Sequence, residues 1–290
     1  MSSKKCRIDA LDILYITMMI LPVVLLMVLK VLTNPQSEGI DIAGAMIYFT
    51  IPMPIQDLPI TESQINSFAV MIILLGFCLF LTKGIGKGKM TTRHHVAEFL
   101  VEKADALVRG NMDEHFKNFG PFVAAILGLS AFSSLLSLFG LYPPTSDVNI
   151  VGGWAILVFI LITYYKAICG PVQYMKSFAD PVLMAPLNVI SEIATPISMA
   201  FRHYGNVLSG SVIGVLVATG LQGLSSMVFS FLPDFLSDIP FLQIGIPAVL
   251  SIYFDVFSGL LQAYIFAMLT MLYVSGGFPA DLYKKKKLKG

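Results

Sequence analysis

Six apolar runs, each a candidate membrane helix, constrain this chain more than any other feature. A helix needs roughly 20 apolar residues to cross about 30 Å of hydrocarbon. With 56% hydrophobic and 13% charged residues, the chain carries more apolar surface than a soluble domain can bury. We therefore expect an all-α, polytopic membrane protein. The six runs cover residues 11–32, 67–81, 121–141, 151–169, 189–232 and 241–275.

The last two runs are longer than a single upright crossing requires. The run 241–275 has 35 residues and would form a rod of about 52 Å at 1.5 Å per residue. Such a rod must tilt strongly or bend. The sequence therefore predicts a long, tilted helical hairpin, within a membrane domain of residues 66–290. Residues 1–65 are expected to form an N-terminal membrane segment and an external loop.

Basic residues predict the orientation of the chain, because Lys and Arg gather on the cytoplasmic side. Seven lie between Lys83 and Lys117 and five follow Tyr283, whereas the intervening loops 33–66, 142–150 and 233–240 have none. This asymmetry predicts a multi-pass protein with both termini in the cytoplasm. Lys30 sits at an outer edge and can extend its ammonium to the interface.

Two shorter segments have further interpretations. A basic start followed by an apolar run is also how a signal peptide begins, so residues 1–32 have cleavage as an alternative to retention. Between Arg93 and Arg109, Val96, Phe99 and Leu100 recur near one helical face, which predicts a helix lying on the cytoplasmic surface.

Composition and spacing argue against several classes of function. The net charge of +1 does not favour a nucleic-acid binder. No cofactor or metal is expected, and an intramembrane hydrolase would need a nucleophile or a metal cluster. The histidines and cysteines lack ligand or disulfide spacing. These residues are His94, His95, His115, His203, Cys6, Cys78 and Cys169.

Arg202 lies deep inside an apolar run, where a charge costs about 2.5–3.5 kcal/mol even on lenient scales. It belongs to a band of polar side chains at helical spacing, and a second band lies on the final run. The two bands can face each other or a water-filled cavity. The first comprises Ser191, Thr195, Ser198, Arg202, Asn206 and Ser209, and the second Ser251, Asp255, Ser258 and Gln262.

Structural and functional interpretations compete for these residues. Serines commonly tie membrane helices together, so each serine alone is better read as interhelical contact. The Arg202 guanidinium keeps its charge at any accessible pH, so its place in an apolar run favours a functional role over a structural one. Asp255 is either a counter-ion for Arg202 or part of an aqueous path. A secondary transporter remains an alternative, although such proteins often contain inverted repeats and the sequence shows no repeat.

Three motifs resemble subunit a of F-type ATP synthases, in the family's order. Residues 196–210 contain Pro-x-Ser-x-x-x-Arg-x-x-Gly-Asn, residues 259–273 contain Gln-Ala-x-Ile-Phe, and residues 144–149 resemble the external Pro-Thr-x-Asp-x-Asn loop. Glu192 sits near a family glutamate. The resemblance extends from about residue 60 to residue 276, and three motifs in register are a specific signal.

The resemblance implies an ion-translocating stator subunit whose two offset half-channels load and unload carboxylates on a ring of c subunits. Arg202 would face the ring carboxylate, with Asn206 and Gln262 beside it. Asp147 would line the half-channel open to the outside, and Glu192 with Ser198 the cytoplasmic one. ATP chemistry would belong to partner subunits. The implied partners are the c ring, b-type peripheral stalk subunits and the lipid bilayer, and the implied location is a bacterial cell membrane.

Several positions depart from the family pattern. Ser211 stands where many bacterial members have a glutamate, and Asp255 where many have His or Glu. Thr195 replaces a common basic residue, and His203 a usual leucine. The first two changes leave Asp255 as the expected acid near the external path.

Overall fold

The computed structural model describes residues 9–33, 44–54, 56–85, 91–168, 174–175, 185–228 and 245–278. Within these ranges, six helices are long and apolar enough to cross a membrane, which confirms the predicted all-α, polytopic class. They cover Ala10–Thr33, Glu62–Thr82, Glu114–Phe139, Val148–Ala167, Ala185–Val228 and Ala248–Gly276. The predicted division of the chain at residue 65 stays a prediction.

Eight α-helical elements and three short 3-10 segments organise the described residues. The α-helices are α1 (Ala10–Thr33), α2 (Glu62–Thr82), α3 (Thr92–Asn111), α4 (Gly120–Leu135), α5 (Val148–Ala167), α6 (Ala185–Val228), α7 (Ile246–Ser251) and α8 (Gly259–Gly276). The 3-10 segments are Glu114–Phe119, Leu136–Phe139 and Pro144–Ser146.

Helix α2 begins five residues before the predicted apolar run. Thr61 and Gln64 form a capping box at its N-terminus. This box satisfies backbone N–H groups that the first turn of a helix leaves unpaired. Apolarity alone missed the start because the first turns carry Glu62, Ser63 and Asn66, which are all buried.

A short antiparallel hairpin, which the apolar pattern did not predict, precedes α2. Strand β1 (Ile47–Ile51) pairs with β2 (Leu58–Thr61), with Ile51 opposite Leu58 and Ile47 opposite Thr61. We call this end of the helical bundle the hairpin end. The opposite end, where Lys83, Arg93 and Lys166 lie, is the basic end.

The final membrane helix starts later than predicted and changes its winding. Gly245, with φ of +137°, precedes α7, so the helix begins at Ile246 rather than at residue 241. Residues 241–244 lie outside the described ranges. Between α7 and α8, residues Ile252–Ser258 form a π-helix. Such segments widen one turn and often occur at functional sites.

Helix α1 packs closely along α2 and is held by ion pairs at both ends. At the basic end, the Arg93 Nη1 and Lys83 Nζ atoms lie 2.6 and 3.2 Å from the buried Asp12 carboxylate. Burial lowers the pKa of Lys83, but hydrogen bonds to Asp12 and Asp9 outweigh it and raise the pKa. At the hairpin end, Lys30 Nζ lies 3.8 Å from Glu62. These contacts tie α1 to α2 and to Arg93, and cleavage of residues 1–32 stays an alternative to retention.

The main apolar core lies between α4, α5 and α8. Val123, Val158, Phe266 and Met271 are almost fully buried within it. At the basic end, Phe116 packs edge-to-face against other aromatic rings and extends this core. Helix α6 lies against the outside of this core. Only five of its 44 residues are buried.

Helix α3 lies beside the bundle and is not among the candidate membrane helices. Val108 is buried against the main core, whereas Val96, Phe99 and Leu100 are exposed. An exposed apolar stripe on a helix of this kind suits a membrane interface. Its predicted position on the cytoplasmic surface stays a prediction.

Candidate functional site

Arg202 is exposed on the outer side of α6. Among the described residues, no hydrogen bond or ion pair joins its guanidinium to another side chain. Ser198, one turn earlier on α6, is also exposed. The structure therefore presents a charge and a hydroxyl away from the protein core, on the same side of one helix.

The two predicted polar bands contact each other at one point. Ser258 Oγ donates a hydrogen bond to Asn206 Oδ1 at 2.7 Å. One turn further along α6, a Cβ atom at Gly210 would lie 2.9 Å from the Cβ of Phe254. The missing side chain at Gly210 thus lets α6 approach the π-helical segment closely.

Asp255 lies on the π-helical segment and is half-buried. It lines a small cavity with Ser134, Ser137 and Gly259. No ion pair joins Asp255 to Arg202 in the part of the chain that the structure describes. The described residues therefore give no support to a direct counter-ion, and a place for Asp255 on an aqueous path stays a prediction.

Gln262 lies on α8, one turn after Ser258, and is 6% exposed. The resemblance implied that it flanks Arg202, yet the two differ in environment. Arg202 is exposed, whereas Gln262 is directed into the bundle. The described contacts do not bring the two side chains together by a hydrogen bond.

Glu192 forms an ion pair at the basic end. Lys166 Nζ lies 2.7 and 2.8 Å from its two carboxylate oxygens, and the Tyr174 hydroxyl donates to Oε1 at 3.2 Å. Burial, followed by the charge of Glu192, raises the pKa of Tyr174 above its ordinary value. Sequence reasoning identified Glu192 but missed Lys166 as its partner, since 26 residues separate them.

Asp147 belongs to a polar cluster at the hairpin end. Its carboxylate caps α5 by accepting from Asn149 N at 2.9 Å, and it also accepts a hydrogen bond from Ser63 Oγ. The adjacent Glu62 accepts from Tyr142 N at 3.3 Å. Burial, then the charge of Asp147, raises the pKa of Tyr142. This arrangement orients two acids, Asp147 and Glu62, at one end of the bundle.

Sequence reasoning missed Glu62, Ser63 and Asn66 as members of this cluster. Asn66 Nδ2 donates to Tyr142 O at 2.7 Å, while its buried Oδ1 has no partner among the described residues. The available signal was three polar residues at helical spacing just before an apolar run. The absence of Lys and Arg from residues 33–66 instead favours an external loop there.

The polar groups thus divide between the two ends of the bundle, and Arg202 lies between them along α6. Ten residues of helix, or about 15 Å, separate Glu192 from Arg202. Within the described ranges, no three His, Cys, Asp or Glu side chains converge as a metal site would require. This arrangement places acidic and polar side chains at both ends of the bundle and a fixed positive charge between them.

Comparisons with known proteins converge on one family. The family model described as ATP synthase A chain matches residues 65–275. ATP synthase subunit a of Legionella pneumophila (strain Philadelphia 1) is 27% identical over 232 residues, which cover 79% of this chain and 91% of the relative. ATP synthase subunit a 1 of Crocosphaera subtropica is 28% identical over 77% of this chain and 89% of the relative.

A third relative is more similar over a shorter length. ATP synthase subunit a of Desulforamulus reducens is 34% identical over 161 residues, or 53% of this chain. The family match includes all seven residues that the sequence singled out, from Asp147 to Gln262, and leaves α1 outside. Because this match covers well over half of the 290 residues, the chain belongs to the ATP synthase A chain family.

Proposed function

We propose that this protein is the ion-translocating stator subunit in the membrane sector of a rotary ATP synthase. The observation that carries the proposal is Arg202, an exposed guanidinium in the middle of a membrane helix with no partner among the described residues. An unpaired charge within a membrane is costly. A carboxylate on a neighbouring c ring would neutralise it in the assembled complex.

The proposed partner explains why Arg202 points out of the bundle. A ring carboxylate that faces lipid must be neutral, because an ionised one is costly to desolvate. Beside Arg202 the ionised form is favoured, by about 4 kcal/mol at 4 Å and an effective dielectric constant near 20. This is about a thousandfold in the ionisation equilibrium. The carboxylate therefore releases its ion as it approaches Arg202.

Two offset half-channels would make this release directional. The cluster of Asp147, Ser63 and Glu62 marks the entrance at the hairpin end, and Asp255 continues that path towards the ring. Glu192, held by Lys166, marks the exit at the basic end, with Ser198 one turn before Arg202. Asn206 and Gln262 support the helices that carry Asp255 and Arg202. Ions entering on one side of Arg202 and leaving on the other would turn the ring.

The same proposal assigns the remaining partners and the location. The basic end lies in the cytoplasm of a bacterial cell, together with both chain termini, and b-type peripheral stalk subunits hold the protein against rotation. ATP is made by other subunits of the complex. The inward position of the basic end is supported by the excess of Lys and Arg there.

Purification in mild detergent tests this proposal. We expect an affinity-tagged chain to copurify with c-ring and b-type subunits and with an ATPase head, in fixed proportions. A tagged chain that runs alone or as a small oligomer, with transport activity of its own, would instead identify a secondary transporter. Subunits are quantified by mass spectrometry of the purified complex.

Asp255→Asn is expected to slow ion-coupled ATP synthesis severalfold while the complex still assembles. The amide has nearly the same volume, but it cannot accept and release a proton at the cavity beside Ser134 and Gly259. Gradient-driven synthesis in membrane vesicles is the measurement. Asp57→Asn, which changes an exposed acid near the hairpin, is the matched control. Undiminished synthesis in Asp255→Asn would make this residue structural.

A further inference from the structure

We propose that His203 positions Arg202: its hydrogen bond to Ser130 fixes the rotation of α6, so that the guanidinium points out of the bundle. The inference rests on the proposed function, because it assigns the residue that aims the essential charge. His203 itself touches neither the ring nor the ion. It is a positioning residue that acts through its neighbour in the chain.

His203 is fully buried at the junction of four helices. The side chain is 0% exposed, and its Nε2 lies 3.1 Å from Ser130 Oγ on α4. The ring meets Trp154 of α5 edge-to-face at 6.1 Å and Phe266 of α8 edge-to-face at 5.6 Å. One side chain of α6 therefore contacts all three helices of the main core.

The burial of His203 determines the direction of Arg202. Successive side chains on an α-helix are about 100° apart. With His203 buried, Arg202 emerges on the exposed side of α6. A rotation that freed the imidazole from Ser130 would carry the guanidinium sideways, away from the face that the ring is proposed to meet. The packing of His203 in the core therefore determines the direction in which the Arg202 guanidinium points.

A directional polar contact matters here because few side chains of α6 are fully buried. Met199, Ala200, His203, Gly210 and Ser225 are the buried residues among its 44. Two of these have small apolar or absent side chains, and small contacts tolerate rotation. The His203–Ser130 hydrogen bond is directional, and both side chains are 0% exposed, so water offers neither of them a substitute.

Three variants separate the hydrogen bond from the packing. His203→Leu removes both ring nitrogens and retains apolar bulk, whereas Ser130→Ala removes the partner and leaves the imidazole in place. His203→Gln places an amide near the position of Nε2 and serves as the conservative rescue. We expect the first two to lower gradient-driven synthesis by at least about threefold. This is the change in an equilibrium that corresponds to the loss of one interhelical hydrogen bond in a membrane. The double variant should lose no more, and His203→Gln should recover most of the activity.

A cross-linking measurement reports the rotation of α6 without relying on ATP synthesis. Asn206 and Ser258 are in hydrogen-bond contact, so Asn206→Cys with Ser258→Cys places two thiols close together one turn from His203. Cys6, Cys78 and Cys169 are first replaced by serine. A short bifunctional thiol reagent is added to the complex in vesicles, and the linked peptide is quantified. The mismatched control is Asn206→Cys with Leu260→Cys, because residue 260 lies about 200° from residue 258 around the final helix.

The expected result is a cross-link yield that falls about threefold in His203→Leu and in Ser130→Ala and returns in His203→Gln. Lost synthesis with an unchanged yield, in complexes of matched amount, would overturn the positioning role. A lower cross-link yield with normal synthesis would support the His203–Ser130 hydrogen bond as the contact that holds α6. It would overturn the proposed role of Arg202. If His203→Leu fails to assemble, Ser130→Ala and His203→Gln decide between the same outcomes.

Discussion

Replacing Arg202 with alanine is expected to abolish gradient-driven ATP synthesis while leaving the complex assembled. The side chain is exposed and forms no hydrogen bond or ion pair with other described residues, so its removal creates no cavity in the bundle. The loss should therefore arise at the ring rather than in folding. Without the guanidinium, a ring carboxylate would keep its ion and pass through the site unchanged.

Arg202→Lys should also reduce synthesis strongly. An ammonium is compact and can lose its proton when buried, so it does not reproduce a permanently charged, planar guanidinium with several donors. Arg109→Ala is the control, because it removes an exposed arginine of α3 outside the membrane helices. Synthesis is measured in vesicles that contain matched amounts of complex.

The same vesicles test whether Arg202 also blocks a direct path between the half-channels. A fixed positive charge repels cations, so Arg202→Ala should leave the assembled sector at least as permeable to ions as before. Near-normal synthesis in this variant would contradict the proposed mechanism. Lost synthesis with a markedly tighter membrane would remove only the barrier role.

Apolar runs predicted the number and approximate position of the membrane helices because helices in lipid must be long and apolar. They did not predict where a helix starts or how it is wound when local polarity or backbone geometry determines these features. Helix α2 starts at Glu62 because polar residues there are buried against Tyr142 and Asp147. The π-helical segment Ile252–Ser258 packs closely against Gly210 of α6, and hydropathy predicts neither the segment nor this contact.

Helical spacing predicted polar bands on α6 and on the final helix that face either each other or a water-filled cavity, and the Asn206–Ser258 hydrogen bond joins the two bands at one point. Spacing along one helix does not identify partners that are distant in the chain. The ion pair of Lys166 with Glu192 and the contact of Ser63 with Asp147 both required the fold. Likewise, the contact of His203 with Ser130 joins residues 73 positions apart in the chain and could not be predicted from spacing.

Close packing next to the cavity of Asp255 gives the second large expected effect. A Cβ atom added at Gly259 would lie 2.7 Å from the Cβ of Ser134 and 3.0 Å from its Oγ. Atoms at such a distance must move, and the Cβ of Ser134 can move only together with the α4 backbone. Helix α4 belongs to the main core, so the displacement would spread into that core.

Gly259→Val is therefore expected to reduce the amount of assembled complex severely. Overpacking a tight contact costs about 1–3 kcal/mol, and a β-branched side chain has few rotamers with which to escape. The measurement is the amount of tagged chain that copurifies in intact complex, compared with the total in the membrane. Gly214→Val is the matched control, because a Cβ at that position of α6 has no atom within 4 Å. Equal yields from the two variants would show that α4 and α8 do not approach as closely as the structure describes. The neighbouring position of Asp255 would then lose its support as well, since the same contact lines its cavity.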